Sequence, residues 1–157
     1  MALLRKYRLK GRFIINTSPF EARKNIPGLI AGFANVSRDL RKNIQLVIAG
    51  KMSEHDRNEI AAIASAEGLT NSDVVLPGFV SDEDLIDLYR MCEVMVFPSL
   101  SEGFGLPPLE AMACGRAVAC ANVTAIPEVA DASALLFSPQ NTDEMVRAAG
   151  FAVSGDG

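Results

Sequence analysis

Histidine and cysteine, the side chains that most often hold metals or carry redox chemistry, are scarce: one His and three Cys in 157 residues. His55 sits among charged neighbours, and Cys92, Cys114 and Cys120 lack tight metal-binding spacing, which argues against a zinc site. The odd cysteine count excludes a closed disulfide framework, and a reducing cytoplasm is the simplest setting. Long apolar runs are missing too. Arg90 and Glu93 interrupt the richest stretch, so no segment reaches membrane-spanning length. The start, Met1 to Lys6, places its apolar residues before its charges, the reverse of a secretory signal. There is no excess of positive charge: 15 Lys and Arg against 19 Asp and Glu give −4. No global basic field therefore draws in nucleic acid or an anionic membrane. The cations Arg5, Lys6, Arg8, Lys10 and Arg12 cluster locally and read as a solvated helix-and-linker end.

What is present is an ordinary globular mix, 49% hydrophobic and 22% charged, long enough for one sizeable core. No repeat, low-complexity tract or interdomain linker divides it, so residues 1–157 read as a single domain. Short apolar runs alternate with longer amphipathic ones. Strands are expected at residues 12–17, 44–50, 74–76, 94–97, 117–121 and 134–137. Helices are expected at 25–40, 54–67, 81–90, 107–114, briefly at 127–130, and from Thr142 onward. Ser81, followed by Asp82, Glu83 and Asp84, has the acceptor and acidic first turn of a helix start. Gly68 and Gly115 read as helix stops. Six strands interleaved with helices predict an α/β fold, a doubly wound parallel six-stranded sheet covered on both faces. Ligands then bind beyond the C-terminal strand ends. That directs attention to the loops at 18–24, 51–53, 78–81, 98–106 and 122–127.

The loop at 98–106 is the richest. Gly103 and Gly105 flank Phe104 just before a helix that Pro107 and Pro108 begin. Glycines leave room for a ligand, and N–H groups of Gly103 to Leu106 at a helix start favour an anion such as phosphate. The Gly-x-Gly pattern alone equally suits a tight turn before a proline-started helix. Glu102 before the turn and Glu110 beyond it add two carboxylates able to accept from adjacent sugar hydroxyls. The same two residues serve equally as a solvated loop charge and a helix-dipole partner. In the first loop, Arg23 and Lys24 precede a helix, where cations oppose the dipole, and an anion bound there would account for them. Plain surface charge is the other reading.

Lys24-Asn25, Leu76-Pro77-Gly78-Phe79-Val80-Ser81, Pro98-Ser99 through Gly115, and Ile126-Pro127-Glu128 together resemble glycosyltransferase family 4. The match is to its C-terminal, donor-binding half and covers roughly residues 3 to 149. The pair of glutamates around Gly-Phe-Gly-Leu-Pro-Pro-Leu is the most specific motif. The resemblance implies one Rossmann-like half of a GT-B enzyme. That enzyme transfers a hexose with retention from a nucleotide-diphosphate sugar to a glycan or lipid-linked acceptor, with no metal or other cofactor. It implies that Lys24 neutralises the diphosphate, that Glu102 contacts donor-sugar hydroxyls and that Glu110 binds the ribose. The backbone of Gly103, Phe104, Gly105 and Leu106 would hold phosphate or sugar oxygens, and Phe79 and Val80 would pack beside the base. Where the family often has a diphosphate-binding Arg, five residues before Lys24, this sequence has Pro19, and Arg23 is the candidate substitute.

The resemblance also implies that an N-terminal acceptor domain is missing and that the C-terminal end is truncated, leaving a fragment that binds donor but transfers poorly. It leaves room for peripheral membrane association of the full enzyme at the inner face. The Arg23-Lys24-Asn25 form of the loop leans toward mannosyl- and polysaccharide-building members, hence toward mannose from GDP-mannose over other GDP- or UDP-hexoses. The competing class is a non-catalytic nucleotide-sugar-binding module working with a separate acceptor domain. A flavodoxin-like redox or signalling domain is disfavoured, because no Gly-x-Gly-x-x-Gly follows the first strand and no acidic pocket suits a phosphoacceptor.

Overall fold

The computed structural model describes residues 2–18, 20–100, 106–122 and 135–151, without the side chains of Arg23 and Leu106. Among them the elements run α1 (Ala2–Lys6), β1 (Arg12–Thr17), a single 3-10 turn (Ala22–Lys24), α2 (Ile26–Ala34), α3 (Arg38–Arg41), β2 (Ile44–Ala49) and α4 (Glu54–Ala66). They continue with β3 (Val74–Val75), α5 (Asp82–Met91), β4 (Met95–Phe97), α6 (Leu106–Ala113), β5 (Val118–Ala121), β6 (Leu135–Phe137) and α7 (Thr142–Ala148). The helix expected at 127–130 lies outside the described residues. The strands form one parallel sheet in the order β3-β2-β1-β4-β5-β6. This order, rather than the 2-1-3-4-5 of flavodoxin, excludes the flavodoxin-like alternative.

Strand periodicity builds two cores from one sheet. Ile14, Leu46, Ile48 and Val96 point to one face, where Leu29, Phe33, Ile60 and Met145 of α2, α4 and α7 cover them. Phe13, Ile15, Val47, Met95 and Phe97 point to the other, against Leu88 and Tyr89 of α5 and Ala111 of α6. Burial on both faces explains why β2 is apolar along almost its whole length. Burial also pushes the Cys92 and Cys120 thiols up to about 12, which leaves them protonated and inert. Helix starts follow the expected chemistry: Ser53, Ser81 and Asn141 each accept from the backbone N–H three residues on.

Two expectations need correction. The helix expected over 25–40 is broken. Asn35 caps α2, and its side chain donates to Asp143 Oδ1 at 3.2 Å at the start of α7. Val36 is then buried in the core, and the Arg41 guanidinium holds its carbonyl at 3.1 Å. Tertiary partners for Asn35 and Val36 thus outweigh the continuous periodicity. The basic cluster near the N-terminus is not merely solvated. Arg12 pairs with Glu93 at 2.6 Å, Lys10 donates to Ser72 Oγ, and Lys6 and Tyr7 both donate to Asp84 Oδ2. These bonds tie the segment around α1 to α5, to the turn before β3 and to the turn before β4.

The hydrogen bond from Lys6, then that from Tyr7, hold the Asp84 carboxyl below its usual range. A lowered folded-state value means stabilisation that is complete above the unfolded value, roughly 4, and lost as pH falls through the folded value. Asp84→Asn should therefore lower stability at pH 7 and flatten the acid limb of the stability curve. Urea denaturation at a series of pH values from neutral to about 3 checks this; parallel curves for the two proteins would remove Asp84 from the account.

Candidate functional site

The strand order reverses between β1 and β4, and the connections leaving these two strands diverge there. In open parallel sheets this is where a crevice opens. β1 and β4 pair at Ile15 and Met95, with backbone bonds from Ile15 to Val94 and from Glu93 to Phe13 on the approach and the Asn16 side-chain amide donating to the Val96 carbonyl at 2.9 Å. Beyond that bond, β1 ends at Thr17 and Ser18 and β4 at Phe97, Pro98 and Ser99. Asn16 Oδ1, Ser18 Oγ and Ser99 Oγ are buried and have no partner among the described residues. Buried polar atoms in native proteins are nearly always satisfied, so three orphans at two adjacent strand ends mark a place suited to a polar ligand.

Lys24 lies in the 3-10 turn that follows β1. It is buried, 6% exposed, with Nζ 5.6 Å above the Phe97 ring at the end of β4. Surface charge is therefore the wrong reading of Lys24: its ammonium is drawn inward over an aromatic face. Asn25 fixes the turn. It adopts left-handed backbone, φ 58°, which Asn tolerates better than most residues. Its side-chain amide donates to the carbonyls of Pro98 and Pro139, at 3.1 and 3.2 Å. The loop after β1 is thus bolted to the loops after β4 and β6.

Phe79 and Val80 stand on the other side of β1. With Thr17, Ala49, Lys51 and Leu85 they line a cleft of about 240 Å³. Phe79 is 74% exposed, unusual for so large an apolar side chain. Two joined turns form the rim. Gly50 donates its N–H to the Gly78 carbonyl at 3.1 Å, and both have positive φ, 144° and 79°. The Arg57 guanidinium holds the Leu76 carbonyl at 3.1 Å from α4, bracing the turn that presents Phe79.

Between these two regions, Thr17 Oγ1 and the Tyr89 hydroxyl share a hydrogen bond of 2.9 Å. Burial pushes Tyr89 up to about 12; the Thr17 bond opposes this, and the charge of Glu110 adds to it. Glu110 is exposed on α6, with its charge felt at the Tyr89 hydroxyl. Phe79 and Val80 therefore share one cleft, while Lys24 lies apart from it beside β4. Glu102, Gly103, Phe104 and Gly105 lie outside the described residues, as do the side chains of Arg23 and Leu106. Among the described residues no group of three metal-ligating side chains gathers.

The family profile of glycosyl transferases group 1 matches residues 5–155. The chain belongs to the group 1 glycosyl transferases. It is 40% identical over 142 residues to the serotype-specific mannosyltransferase WbdA of Escherichia coli, covering 90% of this chain and 17% of that protein. It is 35% identical over 144 residues to the O-antigen chain mannosyltransferase B of Escherichia coli, covering 91% and 37%. Among solved structures, sucrose-phosphate synthase from Thermosynechococcus elongatus superposes with a TM-score of 0.78 at 26% identity, covering 93% of this chain and 37% of that one. The chain thus spans well under half the length of these relatives, and its sheet is that of the Rossmann-like half of a GT-B fold.

Within this group 1 glycosyl transferase chain, sequence reasoning missed Ser18 and Ser99 as site residues, and Arg57 and Tyr89 as supports. A serine in a motif gives no sign that it will be buried, and the Tyr89–Thr17 and Arg57–Leu76 bonds join residues far apart in sequence. Lys51 opens the loop at 51–53, and nothing in its local sequence sets it apart. The Asn25 bolt yields a test. Asn25→Ala removes both side-chain bonds and the left-handed tolerance, and should cost roughly 1–3 kcal/mol in urea denaturation. Asn25→Gly keeps the backbone freedom and should cost less. Equal losses would mean that the left-handed backbone contributes nothing and that the side-chain bonds carry the whole cost; no loss in Asn25→Gly would mean that the bonds contribute nothing.

Proposed function

We propose that this chain is the donor-binding domain of a family 4 glycosyltransferase that moves a hexose, with mannose preferred, from a nucleotide-diphosphate sugar. The observation that carries the proposal is the buried Lys24 ammonium at the β1–β4 reversal point, in a chain of this family. A cation held there is preorganised to meet charge developing on a diphosphate leaving group as the bond from sugar C1 to phosphate oxygen breaks. Ser18 and Ser99 are hydrogen-bonding partners within the same crevice. Mannosyltransferases among the relatives support the hexose.

In this reading Lys24 neutralises the diphosphate with help from Arg23. The backbone of residues 103–106 at the start of α6 holds phosphate or sugar oxygens. Glu102 contacts the sugar hydroxyls and Glu110 the ribose, while Phe79 and Val80 pack against the base. The reaction retains configuration and needs no metal. The acceptor site belongs to a separate domain, so residues 1–157 bind the donor as one domain without efficient transfer. The full enzyme works in the cytoplasm, with peripheral attachment to the inner membrane face.

Calorimetric titration of the chain with GDP, UDP and their hexose conjugates tests this. Lys24→Met keeps bulk over the Phe97 ring but removes the charge. It should weaken nucleoside diphosphates by roughly 1.5–3 kcal/mol and nucleosides far less. Glu110→Gln should weaken the bare nucleotide, and Glu102→Gln only the nucleotide sugar. Equal loss of nucleoside and diphosphate in Lys24→Met would return Lys24 to a structural role. Binding that disappears in EDTA and returns with magnesium would contradict metal independence.

A further inference from the structure

The cleft beyond β2 has walls of two kinds. Ala49, Phe79, Val80 and Leu85 are apolar, suited to the faces of a flat heterocycle. Thr17 and Ser18 add hydroxyls at the end of β1, and Lys51, exposed to solvent, is the one charged residue among the lining. Its position is built. Lys51 follows Gly50, whose N–H is committed to the Gly78 carbonyl and whose φ of 144° suits glycine. A β-carbon on Gly50 would meet the Ser18 carbonyl oxygen at 3.5 Å, so the turn packs directly on the end of β1. The opposite rim is braced by Arg57 on the Leu76 carbonyl. Lys24, the diphosphate candidate, is elsewhere, over Phe97. Lys51 is thus the cation of the apolar-walled cleft, at its solvent-exposed rim, where the edge of a base seated between those walls would lie.

An ammonium only donates. It therefore discriminates bases by the acceptors on the edge it meets. Guanine offers O6 and N7 as neighbouring acceptors. Adenine sets its N7 beside an amino donor, cytosine presents an amino donor, and a uracil edge offers O4 alone, as in thymine. We infer that Lys51 is a specificity-determining residue that selects a guanosine diphosphate donor over uridine and adenosine donors through guanine O6 and N7. This rests on the nucleotide-sugar reading above and narrows it to one base.

Titrations of the chain with GDP, UDP and ADP give the first readout. GDP should bind most tightly and ADP least. Lys51→Met should weaken GDP roughly tenfold and UDP much less, bringing the two toward parity. Lys51→Arg, which keeps donors for the same pair of acceptors, should retain the preference. A second readout changes the ligand instead of the protein. 7-Deaza-GDP lacks the N7 acceptor and should bind the parent chain more weakly than GDP. That penalty should vanish in Lys51→Met, because the two changes remove the same contact. Equal binding of GDP and UDP, or a 7-deaza penalty unchanged in Lys51→Met, would overturn the assignment while leaving the diphosphate site standing. Failure of every nucleoside diphosphate to bind would overturn both.

Discussion

The reversal of strand order at β1 is the constraint from which the site follows. β1 has a parallel neighbour on each side, but its own connection runs through α2 and α3 to β2 on one side. The chain returns to β4, on the other side, only after β3 and α5. α2, α4 and α7 cover one face and α1, α5 and α6 the other. The connection leaving β1 enters α2 on one face and that leaving β4 enters α6 on the other, so backbone groups and polar side chains at these two strand ends remain available. Asn16, Ser18 and Ser99 are buried there with unpartnered oxygens, in a molecule whose sheet is otherwise nearly all apolar.

Chemistry is distributed across this crevice by side. Toward β4 lie Lys24, the Phe97 ring beneath it, and the start of α6. Toward β2 and β3 lie the exposed Phe79, Val80 and Lys51. Thr17, Tyr89 and Glu110 lie between them, coupled through a hydrogen bond and through charge. A nucleoside diphosphate has the same polarity: a flat base, a ribose with two hydroxyls and a charged tail. The supports are as particular as the contacts. Asn25 bolts the cationic turn to the loops after β4 and β6, and Arg57 with the Gly50–Gly78 bond fixes the rim beside Phe79. These are rigid attachments for loops, which would otherwise be the most mobile parts of such a fold.

Most of the fold could be read from the residues because its elements are short and sharply punctuated. β1 and β2 appear as RFIINT and IQLVIA, and Ser81 and Gly68 mark helix ends by local chemistry alone. The break at Asn35 escaped because its cause is a partner on α7, more than a hundred residues away. The same distinction holds at the site. Lys24, Phe79, Val80 and Glu110 stand in recognisable motifs, yet the burial of Lys24 depends on Phe97, brought near only by the sheet. Ser18 and Ser99 matter through burial, which no short segment encodes. Lys51 matters through its place in a cleft assembled from three separate loops.

The most direct test of the switch-point site is amide hydrogen exchange on the chain with and without GDP. The account predicts slowed exchange at residues 17–25, 50–51, 78–80 and 99–110, the C-terminal ends of β1 to β4 and the start of α6. Exchange at the opposite ends of the same strands, around residues 12, 44 and 72–74, should not change. Protection confined to those opposite ends, or spread evenly over the sheet, would contradict it.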